Sequence, residues 1–235
     1  MRVVVVIPAR LESSRLPNKL LLSETGQPLI LHTVQAAKER FGRVVVATDN
    51  QQIRDVVRKS AEVIMTGNCS SGTERVRAAL AGDMDIDNDT IIVNWQGDEP
   101  ELDPLHVLDL AYACTRHDVE VATLAASATS EEYQSPDVVK AVLDHDDLAM
   151  YFSRCPIPYD QPEAALKHMG IYAFTYETLM ATATLDKTTY SGESLEQLTW
   201  LQAGYRIKVL TRSILHAGID TREEYDAFVK RHVKI

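Results

Sequence analysis

At 235 residues, with 45% hydrophobic and 25% charged residues, the chain can bury one sizeable core and reads as a folded globular protein rather than a disordered one. The formal net charge of −10 sets it apart from binders of nucleic-acid polymers, which rely on clustered positive charge; a single nucleotide, needing only a local cationic pocket, remains open. No apolar run approaches the ~20 residues of a membrane-spanning helix, so no membrane insertion is expected.

The chain opens on the apolar run Val3–Ile7, too short for the core of an export signal and read as a buried strand that breaks at Pro8. The three cysteines, Cys69, Cys114 and Cys155, are odd in number and far apart, and read as reduced thiols. A cytoplasmic protein is expected. The segment from Pro8 to Lys19 holds Arg10, Arg15 and Lys19 with two serines and two prolines, a stiffened, positive loop at the end of a sheet. Loops after the first strand of α/β sheets face the ligand crevice. This one suits a polyphosphate, with charge-assisted donors on the three cations and fixed dipoles from backbone N–H groups near Ala9 and Arg10. An ordinary basic surface loop is the alternative.

A βαβα alternation follows. It runs through a helix from Pro28 to about Arg40, strand Arg43–Ala47, helix Gln51–Lys59, strand Glu62–Met65, a helix from about Ser71 to Ala81 and strand Thr90–Asn94. Thr48-Asp49-Asn50 can cap the second of these helices. This order predicts an α/β fold, a mostly parallel nucleotide-binding sheet flanked by helices. After a helix from Pro104 to about Thr115 and strand Val119–Ala125, the grammar changes. Val138–Leu143 and Leu148–Ser153 are joined by Asp144-His145-Asp146-Asp147 as an antiparallel pair. Cys155 to Ala165 is a proline-rich connection, Lys167–Phe174 a further strand, and helices are expected over Tyr176–Ala183 and Glu193–Ala203. Strand Arg206–Leu210 and a helix from Thr221 close the chain. The organisation expected is a single domain over residues 1–235 with a smaller antiparallel lobe, approximately 137–190, inserted in it.

Four segments can carry chemistry. Gln96-Gly97-Asp98-Glu99-Pro100 follows a buried strand and puts Asp98 where a carboxylate can hold Mg²⁺ beside a nucleotide, although the same residues make a good solvated turn. Mg²⁺ needs only one or two protein carboxylates, and Asp220 is the candidate partner; its other reading is the N-cap of the last helix. Ser71-Gly72-Thr73-Glu74-Arg75 either caps a helix or presents donors to a base edge. His168, Gly170 and Tyr172 share one strand face by the period of two, where a lone histidine is most often structural.

In their order along the chain these segments resemble the 3-deoxy-manno-octulosonate (Kdo) cytidylyltransferases, or CMP-Kdo synthetases, over nearly the whole length. The anchors are Ile7-Pro8-Ala9-Arg10, Ser14-Arg15-Leu16-Pro17 with Lys19, Ala47-Thr48-Asp49, Ser71-Gly72-Thr73, Asn94 with Gln96 to Pro100, Tyr151 to Arg154, His168 with Gly170-Ile171-Tyr172, Leu195 to Leu198, and Asp220-Thr221. The resemblance implies transfer of CMP from CTP to the anomeric hydroxyl of an eight-carbon acidic sugar, with release of pyrophosphate, in lipopolysaccharide precursor synthesis. It implies that Arg10, Lys19 and Asp98 act on the reacting phosphates, with Pro8, Ala9, Arg15 and Gln96 beside the nucleotide and Ser71, Gly72 and Arg75 facing the cytosine. Asp98 and Asp220 would hold Mg²⁺. Gln96, Arg154, His168, Tyr172, Glu196 and Gln197 would line the sugar pocket, and the smaller lobe would serve sugar binding and dimerisation. A homodimer is implied as well.

This chain departs from the family pattern at Asn68-Cys69-Ser70, where an Asp-His pair is usual, at Glu74, where Asp is usual, and at Trp95, where a small aliphatic residue is usual. The connection from Pro158 to His168 is shorter than typical. The phosphate and metal set is untouched by these changes, while the sugar is left open among Kdo, its 8-amino analogue and related ulosonic acids. The rival readings are a nucleotidyltransferase for another acidic sugar and a non-catalytic nucleotide-binding regulator.

Overall fold

The computed structural model describes residues 1–185, 193–213 and 218–233. In chain order the elements are β1 (Val3–Ala9), α1 (Leu29–Lys38), β2 (Arg43–Thr48), α2 (Gln51–Val57), β3 (Glu62–Met65), α3 (Gly72–Leu80), β4 (Ile91–Asn94), α4 (Pro104–Ala113), β5 (Val121–Ser127), α5 (Ser130–Gln134), β6 (Lys140–Leu143), β7 (Ala149–Ser153), β8 (Leu166–Thr175), α6 (Tyr176–Ala181), α7 (Glu196–Gln202), β9 (Ile207–Arg212) and α8 (Arg222–His232). The far end of the expected lobe, residues 186–190, and Ala217 ahead of Asp220 lie outside the described residues. The α/β fold class read from the alternation is the observed one.

The chain divides into two compact units, one of residues 2–85, 93–108 and 216–235, the other of residues 86–92 and 109–215 with Met1. In the first unit the strand order is β3-β2-β1-β4, with β1–β2 and β2–β3 parallel. Val4 to Ile7 of β1 and Val45 to Ala47 of β2 are buried on both faces, as expected of continuous apolar runs in a parallel sheet covered by helices. β1 continues past the expected break: Pro8 pairs with Ala47 and Ala9 with Thr48. The fixed φ of proline is compatible with an extended strand, and Pro8, having no N–H, can only accept in the ladder. Asn50 caps α2 by accepting from the N–H groups of Gln52 and Ile53, which settles which of Thr48, Asp49 and Asn50 does so.

In the second unit β5 runs parallel to β9 and antiparallel to β8, and β6 pairs antiparallel with both β7 and β8. The Asp144–Asp147 turn forms as expected. Asp144 accepts from the N–H groups of Asp146 and Leu148, and Asp147 takes a left-handed φ of 55°. The helix expected from Glu193 starts at Glu196 instead. Glu193 is drawn away because its carboxylate accepts from Ser153 Oγ at 2.6 Å and from the Arg154 N–H at 2.6 Å. The short helix α5, not anticipated, is held by a capping box between Thr129 and Glu132.

Candidate functional site

The first unit brings the cationic loop and two of the acids together. After β1 the chain loops out and returns through Asn18, in the left-handed region at φ 55°, into a single 3-10 turn at Lys19–Leu21. Lys19 projects from that turn with its side chain 12% exposed. Its ammonium donates to Asp220 at 2.6 Å and to Asp98, while Arg15 donates to Asp220 at 2.7 Å. Burial alone would lower the pKa of Lys19, but the two carboxylates outweigh it and the net shift is upward, so the ammonium stays charged.

Asp98 is placed by a tightly pinned turn. Gly97 O accepts from Thr33 Oγ1 at 2.8 Å, Asp98 O from the Ile219 N–H at 2.9 Å, and Glu99 O from the indole N–H of Trp95 at 3.0 Å. Trp95 thus gains a specific partner from its size and polarity, which a small aliphatic residue lacks. A Cβ on Gly97 would lie 2.9 Å from Ile30 Cδ1 and 3.4 Å from Pro8 O, so a side chain here would have to displace the end of Ile30. Asp220 is not the cap of the last helix: Thr221 accepts from the Glu224 N–H, and Glu224 bonds back to the N–H groups of Thr221 and Asp220. That box leaves the Asp220 carboxylate free to meet Lys19 and Arg15.

Glu99 is a member of this cluster that its sequence context hides. It is 6% exposed, its Oε2 is one of the few buried polar side-chain atoms without a partner among the described residues, and its pKa is pushed up to about 8 by burial and by the charges of Asp98 and Asp220. Asp-Glu-Pro resembles a solvated turn, and no residue pattern in the sequence marks Glu99 as buried.

Pro8, Arg10, Arg15, Lys19, Gln96, Asp98 and Asp220 line one cleft of this unit, together with Glu12, Ser13 and Ser14. A neighbouring cleft is lined by Pro8, Ala9, Arg10, Ser71, Gly72, Arg75 and Gln96, joined by Cys69 and Ser70. Pro8, Arg10 and Gln96 belong to both. The two readings of Ser71 prove compatible, since it caps α3 through the Glu74 N–H and also lines the cleft. Arg75 is buried, with one nitrogen on Asp49 at 2.7 Å and another on Thr66 Oγ1 at 2.7 Å, so its guanidinium edge is fixed rather than free to swing. Gln96 donates to Asn94 Oδ1 at 3.0 Å, and Asn94 in turn donates to Thr73 at 3.2 Å.

In the second unit, His168, Tyr172 and Gln197 come together. Tyr172 donates to Gln197 Oε1 at 3.2 Å, and its ring lies 5.5 Å from that of His168 and 4.8 Å from that of Trp200. His168 also packs on Phe152 at 5.0 Å, and burial pushes its pKa down to about 3, so the imidazole is neutral. Arg154 is held by its backbone on Glu193 and by its side chain on Pro136 O at 3.0 Å; Glu196 opens α7. Gln96, also expected in the sugar pocket, belongs to the first unit.

This chain, a parallel α/β sheet whose first strand leads into a cationic loop beside two convergent carboxylates, matches over residues 4–220 the family described as cytidylyltransferase, and is therefore a nucleotidyltransferase. Within that class it belongs to the 3-deoxy-manno-octulosonate cytidylyltransferase family. It is 39% identical over 239 residues to the 3-deoxy-manno-octulosonate cytidylyltransferase of Chlorobium limicola, covering 96% of this chain and 95% of that one. With the enzyme of the same name from Porphyromonas gingivalis it shares 40% over 240 residues, 95% and 94% of the two chains. Among solved structures, the CMP:2-keto-3-deoxy-manno-octonic acid synthetase complexed with CTP superposes with a TM-score of 0.90 at 34% identity, covering 98% of each chain.

Proposed function

We propose that this chain transfers CMP from CTP to the anomeric hydroxyl of Kdo or a close analogue such as 8-amino-Kdo, releasing pyrophosphate. The observation that carries the reading is the convergence of Asp98 and Asp220 on the single ammonium of Lys19, at the mouth of the loop that follows β1. Two carboxylates that share one cation have the hard-oxygen donor chemistry that suits Mg²⁺, and Asp98 and Asp220 are the residues that would hold it. When bound, Mg²⁺ offsets phosphate charge and withdraws electron density from the reacting phosphorus.

The rest of the chemistry falls to the chain itself. Both substrates are anions, so attack of the sugar hydroxyl on the α-phosphate needs cations that hold the triphosphate and stabilise the departing pyrophosphate; Arg10, Arg15 and Lys19 supply them. Gly72, with a Cβ position 3.3 Å from the Gln96 amide, allows the base to approach α3 closely, beside the fixed edge of Arg75. His168, Tyr172, Gln197, Glu196 and Arg154 offer the mixed polar and aromatic surface that a sugar acid requires. Positioning and charge are the sources of rate here, because phosphoryl transfer of this kind needs no covalent nucleophile.

The reading takes the enzyme as cytoplasmic, homodimeric and part of lipopolysaccharide precursor synthesis; among the described residues no helix is long and apolar enough to cross a membrane. The test is pyrophosphate release from CTP with Kdo, 8-amino-Kdo or N-acetylneuraminate as acceptor. Turnover with Kdo or 8-amino-Kdo is expected; turnover with N-acetylneuraminate alone would overturn the assignment of the sugar, and inactivity of folded protein with all three would overturn the enzymatic reading. Light scattering decides the dimer.

A further inference from the structure

Thr123 on β5 faces a widened stretch of β8. Tyr172 lies opposite Thr123 and Met169 opposite Leu124, so the register shifts here by the two residues Gly170 and Ile171. Thr123 Oγ1 sits at this bulge, 2.7 Å from Ile171 O, 3.1 Å from Met169 O and 2.9 Å from His168 Nε2. A hydroxyl has one proton to give, and carbonyl oxygens can only accept. Were that proton directed at His168, the hydroxyl oxygen would face two carbonyl oxygens with no hydrogen between them. The proton therefore goes to the carbonyl pair, Oγ1 is the acceptor in its contact with His168, and Nε2 carries the imidazole proton.

The lone pair of His168 is thereby left on Nδ1. Among the described residues no protein group donates to that atom, and His168 is half-buried rather than closed off from solvent. We propose that Thr123 is a positioning residue that holds His168 as the Nε2–H tautomer, so that Nδ1 reads a hydrogen-bond donor on the sugar, a hydroxyl or an ammonium, and not its carboxylate. An ionised carboxylate offers only lone pairs, which would meet a lone pair on Nδ1. This inference rests on the proposal that His168 lines the sugar site.

The tautomer is read directly from long-range ¹H–¹⁵N spectra of the full-length protein labelled in its histidines, with His168 identified by the signals lost in His168→Gln. The free protein at pH 7 is expected to show protonated Nε2 and unprotonated Nδ1; a protonated Nδ1, alone or in an imidazolium, overturns the proposal. Saturating Kdo is expected to shift Nδ1 upfield and leave Nε2 in place. A larger displacement with 8-amino-Kdo identifies the ammonium as the donor, an equal one a hydroxyl that both sugars share. An unmoved Nδ1 in protein that turns the same sugar over removes the donor reading. Failure to turn over any acceptor would instead count against the proposed activity, while the tautomer is measured without substrate and stands or falls separately. Thr123→Val is expected to raise the KM for sugar about tenfold with the KM for CTP unchanged, and Thr123→Ser to restore it. An unchanged sugar KM in folded Thr123→Val also overturns the proposal, and if that variant fails to fold the spectra of the unmodified protein carry the test.

Discussion

Lys19 Nζ meets Asp220 at 2.6 Å across 201 positions of sequence, and the same ammonium touches Asp98. The two acids therefore share a cation even though they belong to different loops. Asp98→Asn and Asp220→Asn keep shape and hydrogen-bonding capacity but remove the charge. Each is expected to lower Mg²⁺-dependent pyrophosphate release by about a hundredfold or more, with a thermal midpoint close to that of the parent protein. Near-normal turnover in both variants would remove the metal assignment.

Lys19 competes for the oxygens that a divalent cation would use. Lys19→Met removes the competitor while depriving the triphosphate of a cation, so metal binding and turnover should move in opposite directions. Mn²⁺ binding, read by electron paramagnetic resonance in the absence of nucleotide, is expected to tighten about tenfold, while turnover falls about a hundredfold. Weaker Mn²⁺ binding in the variant would show that Lys19 organises the acid pair rather than competing for it.

Gly72 opens α3 against the side chain of Gln96. A Cβ there would lie 3.3 Å from Gln96 Oε1 and 3.4 Å from Pro8 Cγ, and Gln96 cannot retreat freely because Asn94 holds its amide. Gly72→Ala is expected to raise the KM for CTP about tenfold, by displacing Gln96 and narrowing the cleft, with little change in unfolding free energy. Steady-state kinetics with CTP varied at saturating sugar checks this, and an unchanged KM would mean that the base does not approach this face.

Lys140 is fully buried, and among the described residues no carboxylate partners its ammonium, which donates instead to the carbonyls of Ser135 at 2.8 Å, Val138 at 2.7 Å and Arg154 at 2.6 Å. Burial lowers its pKa, and the three acceptors satisfy its three protons. Lys140→Met conserves length but leaves those carbonyls unpaired, so urea unfolding should report a loss of about 2–4 kcal/mol. Because Arg154 O is one of the three, the sugar KM should rise as well. A variant as stable as the parent would show that water replaces the ammonium without cost.

What could be read in the chain divides along physical lines. Local periodicity reports strands and helices, and it also put His168 and Tyr172 on one face. The bulge in β8 preserves that relation because it inserts two residues, an even number, so side-chain parity survives and the rings end 5.5 Å apart. The short helix α5 is also written locally, in the Thr129-x-x-Glu132 spacing of its capping box. Properties set by distant partners are not legible in this way. Arg75 is pinned by Asp49, 26 positions away, and nothing in Ser71 to Arg75 marks that ion pair. Glu99 lies beside Gly218, far along the chain, where a Cβ would stand 3.5 Å from Glu99 Cγ.

Glu99 and His168 pull the pH dependence of stability in opposite directions. Glu99 titrates near 8 in the folded protein, raised by burial and by Asp98 and Asp220 from an ordinary value of 4.5. Between those values the native chain keeps a proton that the unfolded chain has lost. Its contribution is therefore full below pH 4.5 and declines until pH passes about 8. His168 is pushed by burial from 6.5 to about 3, so between those values the unfolded chain binds the extra proton and stability is lost as pH falls. From pH 4.5 to 6.5 the two slopes offset, and from 6.5 to 8 the slope from Glu99 stands alone of the two. Carboxylates held below their ordinary range, such as Glu24 bonded by Tyr225 and Asp83 bonded by Arg43, are ionised in both states there and add no slope. Urea unfolding of metal-free protein is therefore expected to show stability falling from pH 6.5 to 8. Glu99→Gln should flatten that limb, and His168→Gln should flatten part of the acid limb below 6.5. A Glu99→Gln variant that keeps the full alkaline decline would assign it to another group and leave Glu99 ionised beside Asp98 in the native protein.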